Sequence, residues 1–158
     1  MNIFYLHHIP KVCAQYHCDK HVTKMLVEYG QMLSTAHRIS NPDCSDNFYK
    51  IAHRNHPSCL WVRASKQNYV WMYKTFKHLH TEYQLRYGKT HLTFQKLNAY
   101  VSATPNIESN GFTAPPLCMD DEFKTSDPIQ SYRNFYNGSK SRFATWKAPS
   151  ITPKWFKG

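Results

Sequence analysis

Two stretches of this chain repeat apolar residues every three or four positions, and that spacing constrains the fold more than any other feature. Over residues 12–37 the positions are Val12, Tyr16, Val22, Met25, Leu26, Tyr29, Met32, Leu33 and Ala36. Over residues 57–88 they are Leu60, Trp61, Ala64, Tyr69, Met72, Phe76, Leu79 and Tyr83. A helix turning once per 3.6 residues gathers each set on one face, which must be buried. Pro57 suits a first turn, and Gly88 is a natural stop. Gly30 weakens the middle of the first helix by up to about 1 kcal/mol, so close packing there is expected to need the missing side chain.

The remaining segments are shorter. A third helix is expected over 92–102, before Pro105, and a short one over 128–136. Ser126 and Asp127 cap the latter ahead of Pro128, and Asn137-Gly138 ends it. Residues 2–6 read as an extended arm, 40–46 as a loop, 105–116 as an irregular excursion, and the last residues as an extended tail. The sequence holds no internal repeat and no composition break. The expected fold is mainly α: one compact domain over 1–158, two long crossing helices and several shorter ones. Its core would span about 1–103, followed by an irregular, loop-rich, basic and aromatic third over 104–158. Trp61, Trp71, Tyr69 and Tyr73 fall at helical spacing and read mostly as core. No window approaches the roughly 20 apolar residues that a membrane span needs. No signal peptide is visible, and five cysteines lack the spacing of a disulfide framework. A soluble, cytoplasmic monomer is expected.

Charge points to the partner. Twenty Lys and Arg face ten Asp and Glu, a net charge of +10. From residue 128 onward Arg133, Lys140, Arg142, Lys147, Lys154 and Lys157 meet no acid, and they alternate with aromatics that include Trp146 and Trp155. Cations neutralise phosphates while aromatic faces stack on unpaired bases, so this interleaving suits nucleic acid. The plainer alternative is that these aromatics pin an irregular tail to the core. Arg54, Asn55 and His56 at the entry to the second helix, with Arg63 and Lys66 beyond, could clamp a phosphate. Equally, Asn55 could simply cap that helix.

The acids are scarce enough to be informative. Glu28 is the only one between Asp19 and Asp43, four residues after Lys24. It is either half of a helix-surface ion pair or a general base or electrostatic stabiliser beside a sugar carbon. Cys13, His17 and His21 would share one stripe of a continuous helix, a partial zinc set without enough ligands, so no metal is expected. Only five glycines occur, none at phosphate-loop or dinucleotide spacing, which argues against a nucleotide cofactor.

The run from Ala14 to Glu28 resembles the first helix of the pyrimidine-dimer DNA glycosylases of the phage endonuclease type. Asp19, His21 and Glu28 reproduce that family's Asp-x-His followed seven residues later by its glutamate. Arg54-Asn55-His56-Pro57, Trp61, and Glu82 with Arg86, Tyr87 and Gly88 resemble more distant bacterial members. The likeness covers about residues 1–90. It implies a helical DNA glycosylase with lyase activity, acting on double-stranded DNA that carries a damaged or modified base. In that chemistry an amine attacks the sugar C1′ and a glutamate assists. The implied catalytic set is Glu28, Met1, Lys24 and His21, and no cofactor is implied. In the best-known members the nucleophile is the α-amine of a small second residue, exposed when methionine is removed. Asn2 departs from that pattern, which leaves the amine of Met1, a lysine (Lys20 or Lys24), or no amine at all with Glu28 activating water. Outside the resemblance stand a non-catalytic nucleic-acid-binding module and a zinc-dependent helical protein.

Overall fold

The computed structural model describes residues 1–44 and 46–158. Six helices follow one another: α1 (Pro10–Tyr16), α2 (Asp19–Ser40), α3 (Pro57–Ala64), α4 (Lys66–Tyr87), α5 (Leu92–Val101) and α6 (Pro128–Phe135). A 3-10 turn at Asp121–Phe123 and a π turn at Tyr136–Lys140 flank α6. The described residues contain no strand, so the mainly α expectation holds. The two 22-residue helices α2 and α4, each about 33 Å long, pack against each other, with α1 against α4 and α5 against α2. Met25, Leu26, Tyr29 and Leu33 of α2 meet Met72, Phe76 and Leu79 of α4 in the core. No helix among the described residues is long and apolar enough to cross a membrane.

Each expected long helix is broken once. The first stops at Tyr16 because the ring of His17 folds back: Nδ1 lies 2.8 Å from the Cys13 carbonyl and Nε2 2.9 Å from the Tyr29 hydroxyl. Asp19 then opens α2, its carboxylate at the positive end of the helix. Cys13, His17 and His21 therefore do not share one helical stripe. Among the described residues no group of three His, Cys, Asp or Glu is placed to hold a metal ion. The second break falls at Ser65, whose backbone is extended and whose Oγ accepts from the Gln67 N–H at 3.2 Å. A serine cap can start a new helix inside an unbroken apolar rhythm.

Smaller boundaries also move. The cap of α3 is His56, not Asn55: its Nδ1 accepts from the Ser58 N–H at 3.1 Å. Asn137-Gly138 does not end the helical path, which continues as the π turn to Lys140. α2 runs through Ser40, and Ser45 of the expected 40–46 loop lies outside the described residues. Gly30 behaves as its position suggested. A Cβ there would stand 2.7 Å from Thr93 Cγ2 and 2.9 Å from Leu97 Cδ1, so α2 and α5 approach only because the side chain is missing.

The C-terminal segment is welded to the helices by a buried ionic cluster. Arg86 of α4, with no exposed side-chain surface, donates to Glu82 Oε2, Asp19 Oδ1, the Ser150 hydroxyl and the backbone carbonyls of Gln15 and His17. Ser150 in turn donates to Glu82 at 2.7 Å. Asp19 also accepts from Thr145 Oγ1 and the Lys147 N–H, each at 3.0 Å. A fully enclosed guanidinium is tolerable only with this many acceptors.

Candidate active site

Glu28 sits on α2 with its carboxylate turned toward the start of the chain. Its Oε2 accepts from the Asn2 N–H at 3.2 Å and lies 3.9 Å from the Met1 amine. Its Oε1 is 3.5 Å from Lys24 Nζ, one turn earlier. Glu28 is 15 % exposed whereas Lys24 is 63 % exposed, so the lysine stands in solvent while the carboxylate and the Met1 side chain are sheltered.

The arm that delivers Met1 is held residue by residue. Asn2 Nδ2 donates to the Cys118 carbonyl at 2.9 Å, and its Oδ1 accepts from the Tyr132 hydroxyl at 2.8 Å and the Ile3 N–H at 2.8 Å. The Phe4 N–H donates to Tyr29 Oη at 3.3 Å. The Met1 thioether packs on Cys59 of α3, sulfur to sulfur 3.3 Å. A larger second residue thus has a structural use: its amide is clamped between two distant segments. The sequence marks Asn2 only as a departure and gives Cys118 no role, because the two meet across 116 residues.

Basic side chains neighbour the Lys24–Glu28 pair. His56 feels both the Met1 amine and Glu28, and its pKa is lowered by burial first, then by the amine and His53, against the opposing pull of Glu28. Lys140, which feels Lys24, is pushed down by partial burial and by Arg142, Lys24 and Lys20. Lys20 lies 4.4 Å from the centre of the Phe143 ring, which carries Arg142 as well. The structure therefore brings Met1, Lys24, Glu28 and His56 together, with Lys140 and Arg142 alongside. Arg54 and Asn55 are exposed at the entry to α3, and Arg63 is half-buried beyond them.

Other expected site residues are placed differently. His21 is buried, stacked on Phe4 at 4.1 Å, with Nδ1 2.6 Å from the Tyr136 hydroxyl. Burial and neighbouring cations depress it to about 2, so it is neutral and closed to solvent. Arg133 donates to the Leu6 carbonyl and lies over the Tyr16 and Trp155 rings. Trp146 donates to the Tyr16 carbonyl, and Trp155 packs against Tyr136. These three hold the tail to the core, as the plainer alternative for the aromatics has it. Lys66 is exposed at the start of α4, its N–H bonded to the Glu108 carbonyl.

No curated protein and no solved structure matches the chain. A sheltered carboxylate facing a chain-terminal amine within a cationic surface is nonetheless a specific combination. All its parts except the Lys140–Arg142 flank and the Cys118 and Tyr132 anchors lie within residues 1–96. That stretch, more than half of the chain, matches the family model described as pyrimidine dimer DNA glycosylase, and the protein belongs to that family.

Proposed function

We propose that this DNA glycosylase cleaves a glycosidic bond at pyrimidine dimers in duplex DNA with the α-amine of Met1 as nucleophile and Glu28 as its partner. The observation that carries this reading is the placement of both the Met1 amine and the Asn2 N–H on Glu28 Oε2, with the Met1 side chain packed on α3. Lys24 is the weaker nucleophile because it is largely in solvent, and solvated lysine amines are ordinarily protonated near pH 7. His21 supports the site from beneath, by packing.

The amine must lose a proton to attack, and Glu28 is the nearest acceptor. The amine lone pair then forms a bond to C1′ while the glycosidic C–N bond breaks, and the pyrimidine leaves with the bonding pair and takes up a proton. Opening of the C1′–O4′ bond gives a protonated imine, with O4′ accepting a proton. The Glu28 carboxylate faces the positive charge that develops at C1′ and can take a C2′ proton in the elimination that expels the 3′ phosphate. Water attacking the imine returns the free amine. Lys20, Lys24, Lys140, Arg142, His56 and Arg54 are suited to hold the phosphates that flank the lesion.

The test is Glu28→Gln, which keeps the shape of the side chain. Glycosidic cleavage of dimer-bearing duplex should slow by at least about 10²-fold, the usual worth of a positioned acid or base, with duplex binding within about threefold of wild type, under 1 kcal/mol. Unchanged turnover in that variant would remove the mechanism.

A further inference from the structure

The segment between α2 and α3 carries an exposed tip. Ala52 is fixed at its root. Its N–H donates to Thr35 Oγ1 of α2 at 3.1 Å, and its carbonyl accepts from the Cys59 thiol of α3 at 3.5 Å. His53, next in line, adopts φ +49°, and its carbonyl accepts from the His56 N–H at 2.9 Å. Left-handed backbone is uncommon for a residue with a side chain and persists where the surroundings over-determine it. The fold-back leaves His53, Arg54, Asn55 and Pro57 exposed on a rigid root.

The tip is not built for phosphate alone. Ile51 and Leu60 adjoin the Ala52–Cys59 contact, and each is 45 % exposed. Phosphates want cations and N–H donors, whereas aliphatic side chains suit the faces of bases at an opened step. Arg63 has one buried guanidinium nitrogen, Nη1, with no hydrogen-bond partner. Neither Arg63 nor Arg54 forms an ion pair among the described residues, and the two repel each other, so both remain available to an anion. The same helix turn reaches the active site, because Cys59 touches Met1.

We propose that this tip enters the DNA duplex beside the lesion. Asn55 fills the space left by an unstacked nucleotide, Ile51 and Leu60 pack against the adjoining bases, and Arg54 with Arg63 holds the flanking phosphate. The proposal rests on the Glu28 reading only in placing the lesion near Met1.

The experiment uses the full-length protein and a dimer-bearing duplex with 2-aminopurine in the opposite strand, whose fluorescence rises when its base unstacks. Wild type and Glu28→Gln should both raise the signal on binding. Asn55→Gly and the double variant Ile51→Ser, Leu60→Ser should fold, by circular dichroism, and bind, yet lose most of that rise. Their kcat/KM should fall about tenfold, equivalent to about 1.4 kcal/mol. A full rise in those variants, or cleavage by wild type with no rise, overturns the proposal. A rise that depends on the tip with no cleavage by wild type upholds the tip and removes the glutamate mechanism, so the two failures are distinguishable.

Discussion

Glu28 and Glu82 each lie within a long helix with a cation four residues away, Lys24 before the one and Arg86 after the other, and the fold puts them to opposite uses. Glu82 is 6 % exposed, and its Oε2 receives Arg86 and the Ser150 hydroxyl. Its acceptor capacity is taken up inside the protein, and the pair holds α4, the α1–α2 junction and the C-terminal segment together. Glu28 faces an exposed lysine on one oxygen and two N–H groups of the chain start on the other. Of these partners Lys24 stands in solvent. A carboxylate whose partners are all internal stabilises the fold, while one beside an amine that can be displaced toward a substrate is available for chemistry.

Breaking the buried cluster should give the largest effect on stability. Arg86→Met leaves Glu82 and Asp19 enclosed without their cation, a loss of about 3–5 kcal/mol for one partner of a buried pair. Denaturant titration should show that drop, while Glu28→Gln melts close to wild type. Equal stability of Arg86→Met and wild type would end the contrast.

The contrast is only partly legible in the sequence. Helical spacing, the close approach at Gly30 and the isolation of Glu28 beside Lys24 are local patterns, and the structure agrees with them. The break at His17 is not local in the same sense, and the one at Ser65 is masked by the pattern around it. The His17 ring leaves the helix to bond Tyr29, twelve residues on, and Ser65 caps a helix inside a continuous apolar rhythm. Arg86 and Asp19 meet across 67 residues, and Asn2 meets Tyr132 across 130. No periodicity encodes such pairings. Asp19 was therefore readable as part of a motif, without any sign that it fastens the C-terminal segment. Trp146 and Trp155 looked equally suited to bases and to packing, and only their contacts with Tyr16, Tyr136 and Arg133 show the packing.

Acid should weaken the fold around the buried histidines. Burial holds His17 down to about 4 and His21 to about 2, each from an ordinary 6.5. Both bind fewer protons folded than unfolded, so their contribution is complete above about pH 6.5 and is lost as pH falls, for His17 down to about 4. Thermal melts should show a midpoint that declines across this window, and His17→Gln should flatten the decline. A midpoint that rises toward pH 4 would contradict this assignment.

The smallest effect belongs to Lys24. Lys24→Ala removes a mostly exposed helix pair, so stability should change by only about 0.2–0.5 kcal/mol. A covalent adduct with DNA should still form in this variant. Loss of that adduct would transfer the nucleophile to Lys24.

Borohydride reduction during turnover of a dimer-bearing duplex, followed by peptide mass spectrometry, tests the central claim most directly. The reduced imine should be found on the α-amine of Met1, and Glu28→Gln should yield almost none. An adduct on a lysine, or rapid base release with no adduct, would contradict the account.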